Sequence, residues 1–168
     1  MIHALKDYRV VWLALGLVGG LFLGGFWPNT PTIHAVATSQ QDNFAISTGQ
    51  VGPDMEGLFF LDFLTGDLKG AVLNPNNGKF GAFYQQNILG DLGVDLSKNP
   101  QYLMVTGSAN FRRTPGNVQL GNTVVYVAEV TSGKVVAYGI PVGNAQRAVS
   151  GPFVPLDVGV FRNVAIRD

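Results

Sequence analysis

A chain of 168 residues, 46% of them hydrophobic and 13% charged, has room for one domain and an appendage, and it is too apolar to stay disordered. Its 11 basic residues balance 11 acidic ones, so the basic surface that nucleic-acid binding needs is missing. With no cysteine, disulfides, thiol catalysis and cysteine-ligated metals are excluded together, and the redox compartment is left open.

In chain order, the first feature is residues 10–26, which hold no charge and no Asn, Gln, Ser or Thr. As a helix this run would be about 25 Å long, at the short end of what spans a bilayer. Trp12 and Trp27 sit near its ends, as interfacial anchors do. Lys6 and Arg9 precede it, which keeps the N-terminus in the cytoplasm and exports the rest. Two readings stay open. Ala35-Val36-Ala37 fits a small-x-small signal-peptide site, and cleavage after Ala37 would release a secreted domain. The run is also longer than the usual apolar core of a signal peptide, which favours an uncleaved transmembrane anchor. Gly16, Gly20 and Gly24 share one helix face, a pattern that lets two transmembrane backbones approach and associate. The chain thus divides into a signal peptide or anchor (1–28), a polar linker with Pro31 (29–42) and an exported domain (43–168).

Beyond the linker the period changes. Short runs of Val, Phe, Tyr and Leu alternate with Gly, Asn, Asp and Pro clusters, which reads as an all-β domain. Strands are expected at 44–48, 57–64, 68–73, 79–85, 102–108, 122–130, 134–140 and 160–167. Residues 86–96 could form one helical turn, weakened by Gly90 and Gly93. Thr65-Gly66-Asp67 and Thr131-Ser132-Gly133 read as hairpin turns, where a glycine supplies the positive φ. Asn76-Asn77-Gly78 is a third such turn. At an offset of 67 residues the first two hairpins align, with Asp62 on Glu129, Phe60 on Val127 and Gly66 on Gly133. Upstream, Phe44 to Gly49 echoes Tyr102 to Gly107 at an offset of 58. These correspondences point to two copies of a strand–hairpin unit, each burying one face against the other in an antiparallel sheet or sandwich.

Each unit, with its apolar strand, acidic residue, Thr-Gly or Ser-Gly turn and returning strand, weakly resembles a β-propeller blade. Two such blades cannot close a ring alone. At whole-chain scale, Phe26-Trp27-Pro28, His34-Ala35-Val36-Ala37-Thr38, Asp62-Phe63-Leu64-Thr65-Gly66-Asp67-Leu68 and the closing Phe161-Arg162-Asn163-Val164 resemble uncharacterised membrane-anchored envelope proteins of planctomycete-type bacteria. That resemblance implies an exported domain and brings no catalytic residues with it.

The two histidines, His3 and His34, lie outside the β domain, so the domain has neither His nor Cys. Triads, the usual zinc sites and the commonest general base near neutral pH are therefore excluded. Carboxylates remain. Asp62 and Glu129 hold matching places in the two hairpins and could face each other as a glycosidase pair, although alternation along their strands also puts each on a solvent face. Asp91 and Asp95 are candidate calcium ligands in a segment that lacks the dense EF-hand pattern. Phe111, Arg112 and Arg113 form an aromatic and basic loop suited to a partner or an anionic polymer. No cofactor is expected. The expectation is an exported, non-enzymatic envelope protein, membrane-bound through its helix, with a homo-oligomer or another envelope protein as partner. Its alternative is a ligand- or glycan-binding module, or a carboxylate-dependent glycan hydrolase.

Overall fold

The structure is a computed structural model that describes residues 4–24, 38–112, 118–143 and 147–162. Two units divide the chain, residues 1–33 and 34–168.

In the first unit, helix α1 runs from Ala4 to Gly24. No proline interrupts it, and Tyr8, Trp12, Leu13 and Leu17 are all exposed. Its uncharged part, residues 10–24, is about 22 Å long. That falls short of a hydrocarbon core of about 30 Å. Among the described residues, no helix is long and apolar enough to cross a membrane. The expected span to Trp27 is thus described only as far as Gly24. Trp27, Pro31 and Ala37 lie outside the described residues.

The second unit is mostly antiparallel β, in two sheets. The first contains β1 (Thr38–Gln40), β2 (Phe44–Gly52), β3 (Met55–Asp62), β4 (Asp67–Leu73) and β5 (Phe80–Asn87), paired in chain order. The second contains β6 (Tyr102–Ser108), β7 (Leu120–Glu129), β8 (Lys134–Pro141) and β9 (Val154–Val160), also paired in chain order. Between β5 and β6 lie the short helix α2 (Ile88–Leu92) and a 3₁₀ turn, Leu96–Lys98. Asn87 caps α2 by accepting a hydrogen bond from Leu89 N at 3.1 Å, and Gly93 closes it in the left-handed conformation. The helix is therefore one turn, as its glycines lead one to expect.

Two expectations are corrected. The last described strand is 154–160, with Pro155 on an edge strand at a register shift; of the strand expected at 160–167, only Val160 is in a strand among the described residues, Phe161 and Arg162 are not, and residues 163–167 lie outside the described residues. The supposed linker also contributes a strand: Thr38, Ser39 and Gln40 pair with Ser47, Ile46 and Ala45.

The sheets bury a shared core of Phe59, Leu61, Leu68, Val127, Val136 and Tyr138, among others. Their spacing is uneven. On one side β2 lies close to the second sheet. Ser47 Oγ and Thr106 Oγ1 are 2.7 Å apart, Thr106 Oγ1 donates to Thr48 O at 2.6 Å, and Thr123 Oγ1 donates to Gln50 O at 2.6 Å. On the other side the gap is filled by rings: Phe153 lies 5.6 Å from Tyr84, 6.1 Å from Phe59 and 6.3 Å from Tyr138. Helix α2 adds buried Ile88 and Leu92, and Tyr138 Oη donates to Asp91 Oδ2 at 2.8 Å. Small residues on one side and large ones on the other make the interior a wedge.

The two sheets repeat one bonding pattern. Gly66 N donates to Asp62 O and Gly133 N to Glu129 O, both at 2.9 Å. Asp67 N donates to Thr65 Oγ1 and Lys134 N to Ser132 Oγ, both at 3.3 Å. Phe63 N reaches Asn43 O as Val130 N reaches Gln101 O, again at 2.9 Å. Ile88 N donates to Gly66 O and Phe161 N to Gly133 O, also at 2.9 Å. Gly66 and Gly133 both take positive φ, +70° and +66°. The offsets of 67 and 58 residues read from sequence therefore recur as matching hydrogen bonds.

Candidate functional site

Asp62 and Glu129 do the same work in their own hairpins. Asp62 Oδ1 accepts from Leu64 N at 2.9 Å and Thr65 N at 3.3 Å. Glu129 accepts from Thr131 N at 2.8 Å and Ser132 N at 2.6 Å. They do not form a pair across a cleft. Along β3, Phe59 and Leu61 are buried toward the second sheet, so the alternating Asp62 lies on the face turned away from it. Glu129 lies on the inner face of its sheet, opposite Tyr102 in the ladder, and is only 4% exposed. The solvent-face expectation thus holds for Asp62, which is half-buried, and fails for Glu129. Burial of a carboxylate is tolerated here because both its oxygens accept backbone N–H groups.

Burial alone would push the Glu129 carboxyl up, but the hydrogen bonds from Ser132 and Thr131 outweigh it and hold the pKa below the ordinary value. A depressed folded pKa stabilises the fold above the unfolded value and is lost as the pH falls through the folded one. Glu129→Ala should cost about 1.5–3 kcal/mol at neutral pH, the range for hydrogen bonds to a charged group. It should also reduce the stability the protein loses as pH falls below about 4.3. Chemical denaturation at pH 7 and pH 3 checks both.

Asp91 and Asp95 have separate structural roles. Asp91 Oδ2 accepts from Tyr138 Oη and from Gln86 Nε2, the latter at 3.0 Å. Asp95 Oδ1 accepts from Ser97 N at 2.9 Å and starts the 3₁₀ turn, and these hydrogen bonds lower its pKa. Among the described residues no three His, Cys, Asp or Glu side chains cluster as metal ligands would. Phe111 is half-buried and Arg112 exposed in the loop after β6, while Arg113 lies outside the described residues. Gly16 and Gly20 lie on α1 with open space where a Cβ would stand.

Two features were missed by the sequence reading. One is a cleft of about 810 Å³ between the turn ends of the two sheets, lined by Gln40, Gln41, Asn99, Gln101, Phe63 and Tyr102, among others. Gln40 Nε2 donates to Tyr102 O at 2.8 Å. The Tyr102 hydroxyl is buried without a hydrogen-bond partner among the described residues, and its pKa is raised by that burial and by the nearby charge of Glu129.

The other feature is the outer face of each sheet. On the first, Phe44, Leu73, Phe80 and Phe83 are exposed beside half-buried Ile46 and Phe60, and the rings of Phe44 and Phe60 stack at 5.1 Å. On the second, Leu103, Val105 and Tyr126 are exposed beside half-buried Val135 and Ala137. A sheet with one wet face alternates apolar and polar residues. Here Val124-Val125-Tyr126-Val127-Ala128 is apolar on both faces, which is the signal that could have revealed them. Broad exposed apolar areas mark interaction sites. Comparisons with protein-family models, with curated proteins and with solved structures each return no match.

Proposed function

We propose that the β domain is a non-enzymatic structural or protein-interaction module of the cell envelope. It stands on the periplasmic or extracellular side, delivered or held there by the N-terminal helix. The observation that carries this reading is the pair of open apolar sheet faces, which on a working surface call for a protein partner. The lack of His and Cys in the domain, and the use of Asp62, Glu129 and Asp91 as turn caps and structural acceptors, agree with it. The native size of the protein in gently solubilised membranes is the test. A particle larger than one chain is expected, and a single chain of 17.9 kDa would end the reading. The N-terminal residue of the mature protein separates an anchored module from one released after Ala37.

A second reading, glycan binding, is favoured by the cleft, where amide side chains stand beside Phe63 and Tyr102. Envelope oligosaccharides should then raise the melting temperature of the protein but not of the Gln101→Ala variant. No shift with either would remove it.

A further inference from the structure

We infer that the two open faces dock on each other between copies of this chain, head to tail, repeating between chains the packing that joins the two sheets within one. This rests on the interaction-module reading and names the partner as a second copy.

The matching hydrogen bonds of the two sheets set residue equivalences: offset 58 for β2 and β6, 67 for β3 and β4 with β7 and β8. They also place Ile88 on Phe161. With these in hand, each sheet has two distinguishable faces. The first sheet packs inward with the face bearing Ala45, Ser47, Phe59 and Leu68. The equivalent residues of the second sheet are Leu103, Val105, Tyr126 and Val135, and these lie on its open face. Leu103 and Val105 are 50% and 52% exposed. The second sheet packs inward with Tyr102, Met104, Thr106 and Val127. Their equivalents in the first sheet are Phe44, Ile46, Thr48 and Phe60, which lie on its open face. Ile88 is fully buried in the intrachain interface, whereas its equivalent Phe161 is 80% exposed.

The sheets are therefore not related by a twofold axis, which would have each offer the same face. Unlike faces meet, and one of each kind is left open. An interface of unlike faces is heterologous: the same contact can be made again by the next copy. Because the interior is a wedge, thin at β2 and β6 and thick at Phe153, each added sheet turns about the thin side. Such an assembly closes as propeller-like rings do, at about four to eight sheets, or about two to four copies.

Phe83→Glu places a charge on the first open face, and Val105→Glu on the second. The full chain in mild detergent should be an oligomer, and each variant alone should fall to a single chain, since every contact needs both faces. Mixed one to one, the variants should form a two-chain particle, because each retains the face that the other lacks. Phe80→Glu and Leu103→Glu, also at exposed positions, replace any variant whose melting shows it does not fold. Retention of size by either variant alone, or a mixture that stays single-chained, would overturn the inference. A single-chain unmodified protein would overturn it too. If a larger particle then persists in native membranes, the interaction-module reading survives with another partner; if none does, both fail.

Discussion

Phe153→Ala should destabilise the β domain by about 3–5 kcal/mol, the range for removing a buried phenylalanine ring. The ring is almost completely buried and touches both sheets, against Phe59 and Tyr84 of the first and Tyr138 of the second. It sits where the wedge is thickest. The chain brings it there through Gly151, whose N donates to Phe83 O at 3.0 Å and whose O accepts from Gln85 N at 3.3 Å. Gly70 leaves it room, since a Cβ there would stand 2.9 Å from the ring. The neighbours are held in sheet ladders and cannot collapse into the space, so the cavity term should be near its full value. Urea denaturation should show a lower midpoint with an unchanged slope.

The opposite change, added volume at the thin side, should also be costly. A Cβ on Gly49 would stand 2.7 Å from Thr123 Cγ2 and Oγ1. Gly49→Val must push β2 from β7 or turn Thr123, which donates to Gln50 O. Overpacking of about 1–3 kcal/mol plus a lost hydrogen bond of about 1 kcal/mol is expected. The equivalent change in the second sheet, Gly107→Val, meets only the movable ring of Tyr126 at 3.2 Å. It should cost the single chain much less. Comparable losses for the two variants in urea denaturation would contradict the asymmetry of the packing.

The strands were legible where side-chain type and turn chemistry agree. Residues 102–108 form β6 as expected, and Gly66 and Gly133 turn with positive φ as hairpins demand. Strand β9 was hidden by Pro152, Pro155 and Gly159, residues that usually mark loops but are tolerated on a sheet edge. The first strand was hidden by its polar composition, Thr38-Ser39-Gln40, which only the ladder to β2 explains. Which face each sheet buries was not legible at all. Period-two alternation reveals the covered face only when the other is polar, and here both are apolar. For that reason Glu129 reads like Asp62 in sequence, although one is buried and the other faces outward. The carboxylates stand out in the sequence by residue type, but hydrogen bonds with the turns decide their role.

Unlike sheet faces meet within the chain and, on the proposed docking, meet again between copies, where one cross-link can capture them. Within the chain Ser47 touches Thr106. Their equivalents on the open faces are Val105 and Thr48, which must then touch between copies. The chain has no cysteine, so Thr48→Cys and Val105→Cys introduce the only thiols. On mild oxidation of the full-length protein carrying both, disulfide-linked multimers should form. The Thr48→Cys protein mixed with the Val105→Cys protein should give linked dimers containing one of each. A product that stays at one chain, or dimers formed as readily by either single variant alone, would overturn docking between unlike faces.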